Sequence, residues 1–156
     1  MQAAALFAAN LCILGGNPVH HIFHDLNHLA IIVSAVILWL LGAVWYSPAL
    51  FAKPWMAIIG LKKDATKGSS MIAGMIASFI CDLILAFILA HIVIWTQAAT
   101  FGWGALVGFI VWIGFFAAPN LPQGIYEGRP FKLFAINSGY WLVGLMIIGG
   151  VLAVWR

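Results

Sequence analysis

The sequence predicts an all-α integral membrane protein: a four-helix bundle with an N-terminal extension and an interfacial helix in its first loop. Three observations carry this reading. The 156-residue chain is 65% hydrophobic and only 7% charged, whereas about a quarter of the residues of a soluble domain are charged. Eight of its eleven charged residues fall in two stretches, 53–67 and 127–132. The apolar segments between and around them are long enough for helices that cross a hydrocarbon core of ~30 Å, which takes about 20 residues each. Four spans with short loops use most of the chain, so a single membrane domain over 29–156 is expected behind an extension at 1–28.

Taken in order, the extension opens with MQAAALFAANLCIL, apolar but too short to cross, and suited to an outer surface helix or a contact with a neighbouring subunit. Gly15 and Gly16 break it. Asn17 and Pro18 then form a helix start, a capping side chain followed by proline at the first helical position. A helix begun there is expected to continue unbroken into the first span, residues 28–47, which ends before Pro48. The following segment, PALFAKPWMAIIGLKK, is too short and too charged to cross, yet carries Phe51, Trp55, Met56, Ile58 and Ile59. It is expected to lie on the membrane surface with its lysines near headgroups. The second span covers 70–96, with Ser69 or Ser70 as its cap; the third covers 102–121, closed by Pro119 and Pro122; the fourth covers 132–155. Each must be helical, because backbone facing lipid has to be hydrogen-bonded within its own segment.

Orientation follows from the basic residues. Lys53, Lys62, Lys63 and Lys67 lie in the first loop and Arg129 and Lys132 in the third, whereas the second loop, around Gln97 to Phe101, has none. Positive loops stay inside, which puts both termini on the outer side. Trp45, Tyr46, Trp95, Trp103 and Trp155 fall near span ends, where an aromatic belt is expected. So few basic residues, all flanking spans, are topology signals and exclude nucleic acid as a partner. Cys12 and Cys81 show no pairing pattern, and Cys81 falls inside a span. Met1 to Gly16 carry no Lys or Arg, unlike the start of a signal peptide.

Several strings recur in a known order: GAVWYSPALFAKPW at 42–55, GFIVWIGFF at 108–116, YEGRPFKLFAINSGYWLVG at 126–144, and a closing GGVLAVW. In this order and spacing the chain resembles the bacterial membrane family catalogued as domain of unknown function 1761, over about Leu29 to Trp155. The WYSP-x-LF string is its specific part. The resemblance implies four membrane helices in a bacterial cytoplasmic (inner) membrane. It implies no activity, and it leaves residues 1–28 as an addition to the family pattern.

Within the addition, NPVHHIFHDLNH places His20, His24 and His28 at i, i+4 and i+8, with His21 and Asp25 beside them. Histidines four apart on one helical face can share a metal, but i to i+8 covers ~12 Å, too far for three. His91, near the outer end of the second span, is the available further ligand. His24, His28 and His91, with Asp25 as a fourth ligand or as a partner to one of the histidines, are the metal candidate: zinc or copper, or, as a weaker variant, haem. The plain alternative is interfacial histidines bonded to water, headgroups or backbone.

Asp82 stands near the middle of the second span, where a charge is costly and usually functional. It lies on a row of mostly small residues four apart: Ser70, Gly74, Ser78, Asp82, Ala86 and Ala90. Such a row allows close helix approach and turns Asp82 toward protein. Ser34 of the first span is expected at similar depth, with Tyr140 of the fourth reaching toward it. A proton or cation relay is one reading; a protonated side chain locking two helices or subunits is the other.

A third group, Glu127 and Arg129 with Asn120 and Asn137, reads as a tight inner turn. Gly104 and Gly108 form a G-x-x-x-G packing face, and Trp112 reads as packing too. No nucleophile–base pair or phosphate loop is visible, so enzymatic function has no support. The sequence favours a structural or accessory membrane subunit, embedded in lipid as a homo-oligomer or part of a larger complex. The alternative is a small channel or transporter using Asp82.

Overall fold

The structure, a computed structural model, describes residues 26–61 and 69–155, and every regular element in them is helical. In chain order, α1 is His28–Trp45, α2 is Ala52–Ile59 and α3 is Ser69–Trp95. α4, Phe101–Trp112, passes through a π-turn at Ile113–Ala117 into α5, Ala118–Tyr126, and α6 is Phe131–Val154. Four helical stretches are long and apolar enough to cross a membrane: His28–Trp45, Met71–Trp95, Phe101–Tyr126 and Phe131–Val154. The predicted four-span, all-helical class and the short helix of the first loop are both present.

Two local expectations are corrected. α1 does not continue an earlier helix. Asn27 has an extended backbone, and its side-chain oxygen accepts the Ala30 N–H at 3.1 Å. The first N–H groups of a helix lack partners inside it, and an asparagine just outside supplies one. The span therefore starts at a capped end, and Asn17 and the segment after it lie outside the described residues.

The third span does not stop at its prolines. Pro119 has no N–H to offer the fourth residue back, and its ring crowds that carbonyl. The helix answers by widening into the π-turn just before Pro119 and carries on through Pro122 to Tyr126. The Asn120 side-chain amide donates to the Phe116 carbonyl at 2.8 Å, occupying an oxygen in the disturbed turn.

α6 is the most buried of the four spans and packs against α1, α3 and α4. Its contact with α4 is main chain on main chain. A methyl built on Gly104 would run into the Gly149 carbonyl, and one built on Gly108 into the Leu145 carbonyl. The expected glycine face is thus a true helix contact. Indoles add further ties, one of them between this same pair. Trp112 Nε1 donates to the Ser138 carbonyl on α6 at 2.9 Å, and Trp45 Nε1 to the Ile136 carbonyl at 3.0 Å. Trp39 Nε1 donates to the Met75 carbonyl on α3 at 3.1 Å. Trp95 and Trp103 are exposed, as a belt requires, whereas Trp45 is turned inward.

α3 shows two faces. Ile72, Ile76, Ile80, Ile84 and Ile88 are exposed in a row four apart, and two residues further round are Asp82, Ala86 and Ala90, all buried.

Gly108→Ala is expected to lower stability by ~1–3 kcal/mol, the usual cost of overpacking a tight contact. Gly102→Ala, with open space at its Cβ, should be neutral or stabilising by up to ~1 kcal/mol from helix propensity. Thermal unfolding of both variants in one detergent checks the contrast.

Candidate functional site

α1 and α3 run antiparallel and are close-packed at the end that holds Trp155. There Ala30, Ile31 and Ala35 of α1 join Ala86, Leu89, Ala90 and Val93 of α3 in one buried cluster. Toward the α2 end the pair opens. Gly74 has nothing within 4 Å of its Cβ position, and Gly74, Met75 and Ser78 are exposed. The opening is a crevice of about 660 Å3 bounded by α1, α3 and α6.

Helical spacing builds its walls. α3 contributes Met71, Met75, Ser78, Cys81 and Asp82, which recur along one side of its first half. α1 contributes Trp39, Gly42, Ala43 and Tyr46 from its last two turns. α6 closes the back with Tyr140 and Trp141. Tyr140 lies across Gly42, where a Cβ would stand 3.3 Å from its hydroxyl, so the glycine makes room for the ring.

Asp82 is the middle residue of the 27-residue α3, ~20 Å along the axis from either end at 1.5 Å per residue. It is 4% exposed, and what it exposes lines the crevice. No hydrogen bond or ion pair engages its carboxyl among the described residues. The hydroxyls around it point elsewhere: Tyr140 donates to the Leu38 carbonyl at 3.3 Å, and Tyr46 to Asn137 Oδ1 at 3.1 Å. Ser78 donates to the Met75 carbonyl at 3.0 Å. None of the lining residues is Lys, Arg or His.

Of the intramembrane residues singled out in sequence, Asp82, Ser78 and Tyr140 share this crevice. Ser34 is fully buried and does not line it, and among the described residues its Oγ and that of Ser138 have no hydrogen-bond partner. The sequence reading missed the aromatic and sulfur walls. The repeated signal was available: Met71, Met75, Ser78 and Asp82 fall at helical intervals on one face, opposed by Trp39 and Tyr46.

The turn between α5 and α6 holds together as a unit. Glu127 pairs with Arg129, and Gln123 Nε2 donates to Glu127 Oε1 at 2.8 Å. Gly128 supplies the left-handed conformation, φ 65°, that the turn needs. Asn120, Arg129 and Asn137 line one small cavity of about 70 Å3. Asn137 also accepts from Tyr46, which links this turn to the crevice wall.

At the opposite end, Leu26, Asn27 and Ala30 share a cavity with Ala90, Ile94 and Trp155, so the start of α1 and the end of α3 do meet. His28 is exposed there. His91 is buried, with Nδ1 2.8 Å from the Phe87 carbonyl, so that nitrogen carries the proton and donates. The rings of Phe87 and Trp95 stand edge-on to it at 4.6 and 6.0 Å. Among the described residues no three His, Cys, Asp or Glu side chains are grouped for a metal. His20, His21, His24 and Asp25 lie outside those residues.

Fold and crevice together define a small helical membrane protein of four spans with a single acidic residue at mid-depth. The family model for proteins of unknown function designated DUF1761 matches residues 29–153, and the chain belongs to that family. No curated protein and no solved structure matches it.

Ser34→Ala removes a buried hydroxyl that has no partner among the described residues. It is expected to raise stability by ~1 kcal/mol, through lost desolvation cost and better helix propensity. The shift in melting temperature reads this, and a fall would mean that the hydroxyl is bonded in the membrane.

Proposed function

We propose that this protein is a small membrane transporter in which Asp82 loads a cation or proton from the α2 end of the bundle. The observation that supports it is one-ended access. The carboxyl stands at the inner limit of a crevice open toward α2, while beyond it the same two helices are closed by Ile31, Ala35, Ala86 and Leu89, which are buried and line neither the crevice nor the cavity at the far end. A group at mid-membrane reached from one side is what alternating access requires, because the second state need only exchange which end is sealed. Ionisable residues inside spans are expensive and mark such pathways.

The crevice shifts weight from the accessory role that the sparse polar residues favour in the sequence. Among the described residues the carboxyl has no bonded partner, which supports a loading role over a lock between two helices of one chain. By the basic loops, the open end would face the cytoplasm. Assembly with further copies, or a metal held by His28 and His91 with the histidines of the extension, would be compatible additions.

Reconstituted in liposomes with an imposed proton gradient, the wild-type chain is expected to dissipate the gradient. Asp82→Asn should abolish this while remaining monodisperse in detergent, and Asp82→Glu should retain part of it. Equal dissipation by wild type and Asp82→Asn would overturn transport through Asp82 and return the chain to an accessory role.

A further inference from the structure

We infer that the crevice binds a lipophilic organic monocation, one whose charge is spread over or shielded by apolar groups, as in a quaternary ammonium or phosphonium ion. This rests on the reading of the crevice as a solute site, but not on transport.

Three properties of the walls select this class. The first is charge. Among the described residues that line the crevice Asp82 is the one carboxylate, and none of them is Lys, Arg or His, so one positive charge is matched and an anion is opposed. The second is surface. Trp39, Trp141, Tyr46 and Tyr140 face the space from α1 and α6, and Met71 and Met75 from α3. Aromatic faces attract weakly hydrated cations, and thioethers add polarisable apolar contact. The aromatic wall is continuous: Tyr46 and Tyr140 ring centres are 5.7 Å apart, and those of Tyr140 and Trp141 are 5.0 Å apart.

The third property is the shortage of oxygen ligands. A hard metal ion takes six or more oxygens in place of its water. Here it would find the Asp82 carboxyl and hydroxyls already donating to Leu38, Asn137 and Met75. An organic cation has no tight water shell to replace and gains from the apolar wall. The space of about 660 Å3 is in the range of small-molecule sites. α2 reaches its mouth, because Trp55 packs on Tyr46 with ring centres 5.4 Å apart.

The probe is tetraphenylphosphonium, with tetraphenylborate as its counterpart of like shape and opposite charge. Equilibrium dialysis of the full-length protein in mild detergent is expected to show one saturable site per chain for the cation and none for the anion. Sodium and magnesium ions should not displace it. Asp82→Asn should weaken binding about tenfold or more, the size of one lost charge contact, and Asp82→Glu should restore it. Should Asp82→Asn fail to fold, the test passes to Cys81, which is exposed on the crevice wall. In a Cys12→Ser background, tetraphenylphosphonium should slow alkylation of Cys81 and tetraphenylborate should not.

Equal binding of both ions, binding unchanged in a folded Asp82→Asn, or no protection of Cys81 would overturn the inference. So would one silver(I) bound per chain in place of the organic cation, which would reassign the site to its sulfur atoms. Saturable cation binding without proton flux would sink the transport reading alone. Flux without cation binding would sink this inference alone.

Discussion

In hydrocarbon, apolar side chains gain nothing by leaving lipid for one another, so helices meet only where something other than hydrophobicity draws them. Here two devices do so, and both end on α6 or beside it. Glycines let α4 and α6 touch through their main chains at Gly104, Gly108 and Gly149. Indole N–H groups, which cannot be left bare in lipid, reach across to carbonyls: Trp112 and Trp45 to α6, Trp39 from α1 to α3. A helix carbonyl has a second lone pair after its own backbone bond, so each indole is satisfied without opening the helix that receives it.

These ties are unevenly spread, and the crevice is the result. α4 and α6 are joined along the glycine face. α1 and α3 share alanines at one end, but toward α2 the small row of α3 meets no partner at Gly74. Trp39 spans the gap as a single long arm, its ring edge-on to Phe79 at 6.2 Å. The small-residue row thus serves two purposes: close packing where alanine follows Asp82, and open space where glycine and serine precede it. Asp82 stands at the change.

Much of this was legible in the sequence because the signals were long. Four apolar runs, the isolated charge of Asp82 and the glycine spacing of α4 each fix a feature by composition or period alone. What was not legible came from single side chains choosing between local and continuing structure. Asn27 reads equally as a residue inside a helix or as a cap, and only its bond to the Ala30 N–H decides. Pro119 reads as a stop unless the helix can widen. The walls of the crevice escaped for another reason: Trp39, Met71 and Met75 look in sequence like any lipid-facing residues, and which apolar face meets a neighbour depends on helix rotation. The metal candidate rested on histidines of which only His28 and His91 are described, and these stand in different settings, one exposed and one buried.

The π-turn at Ile113–Ala117 also bears on how this helix can vary in length. A π-turn holds one more residue than the α-helical turn it replaces, so it behaves as a slack link in an otherwise fixed rod. Losing one residue there would tighten the turn to ordinary pitch while Gly104 and Gly108 kept their contact with α6 on one side. On the other side, the segment ending at Tyr126 would keep its facing. The same deletion between Gly104 and Gly108 would turn one glycine about 100° from the other and break their shared contact. The π-turn is therefore a stretch of five residues in which one can be lost with the facing of both flanking segments kept.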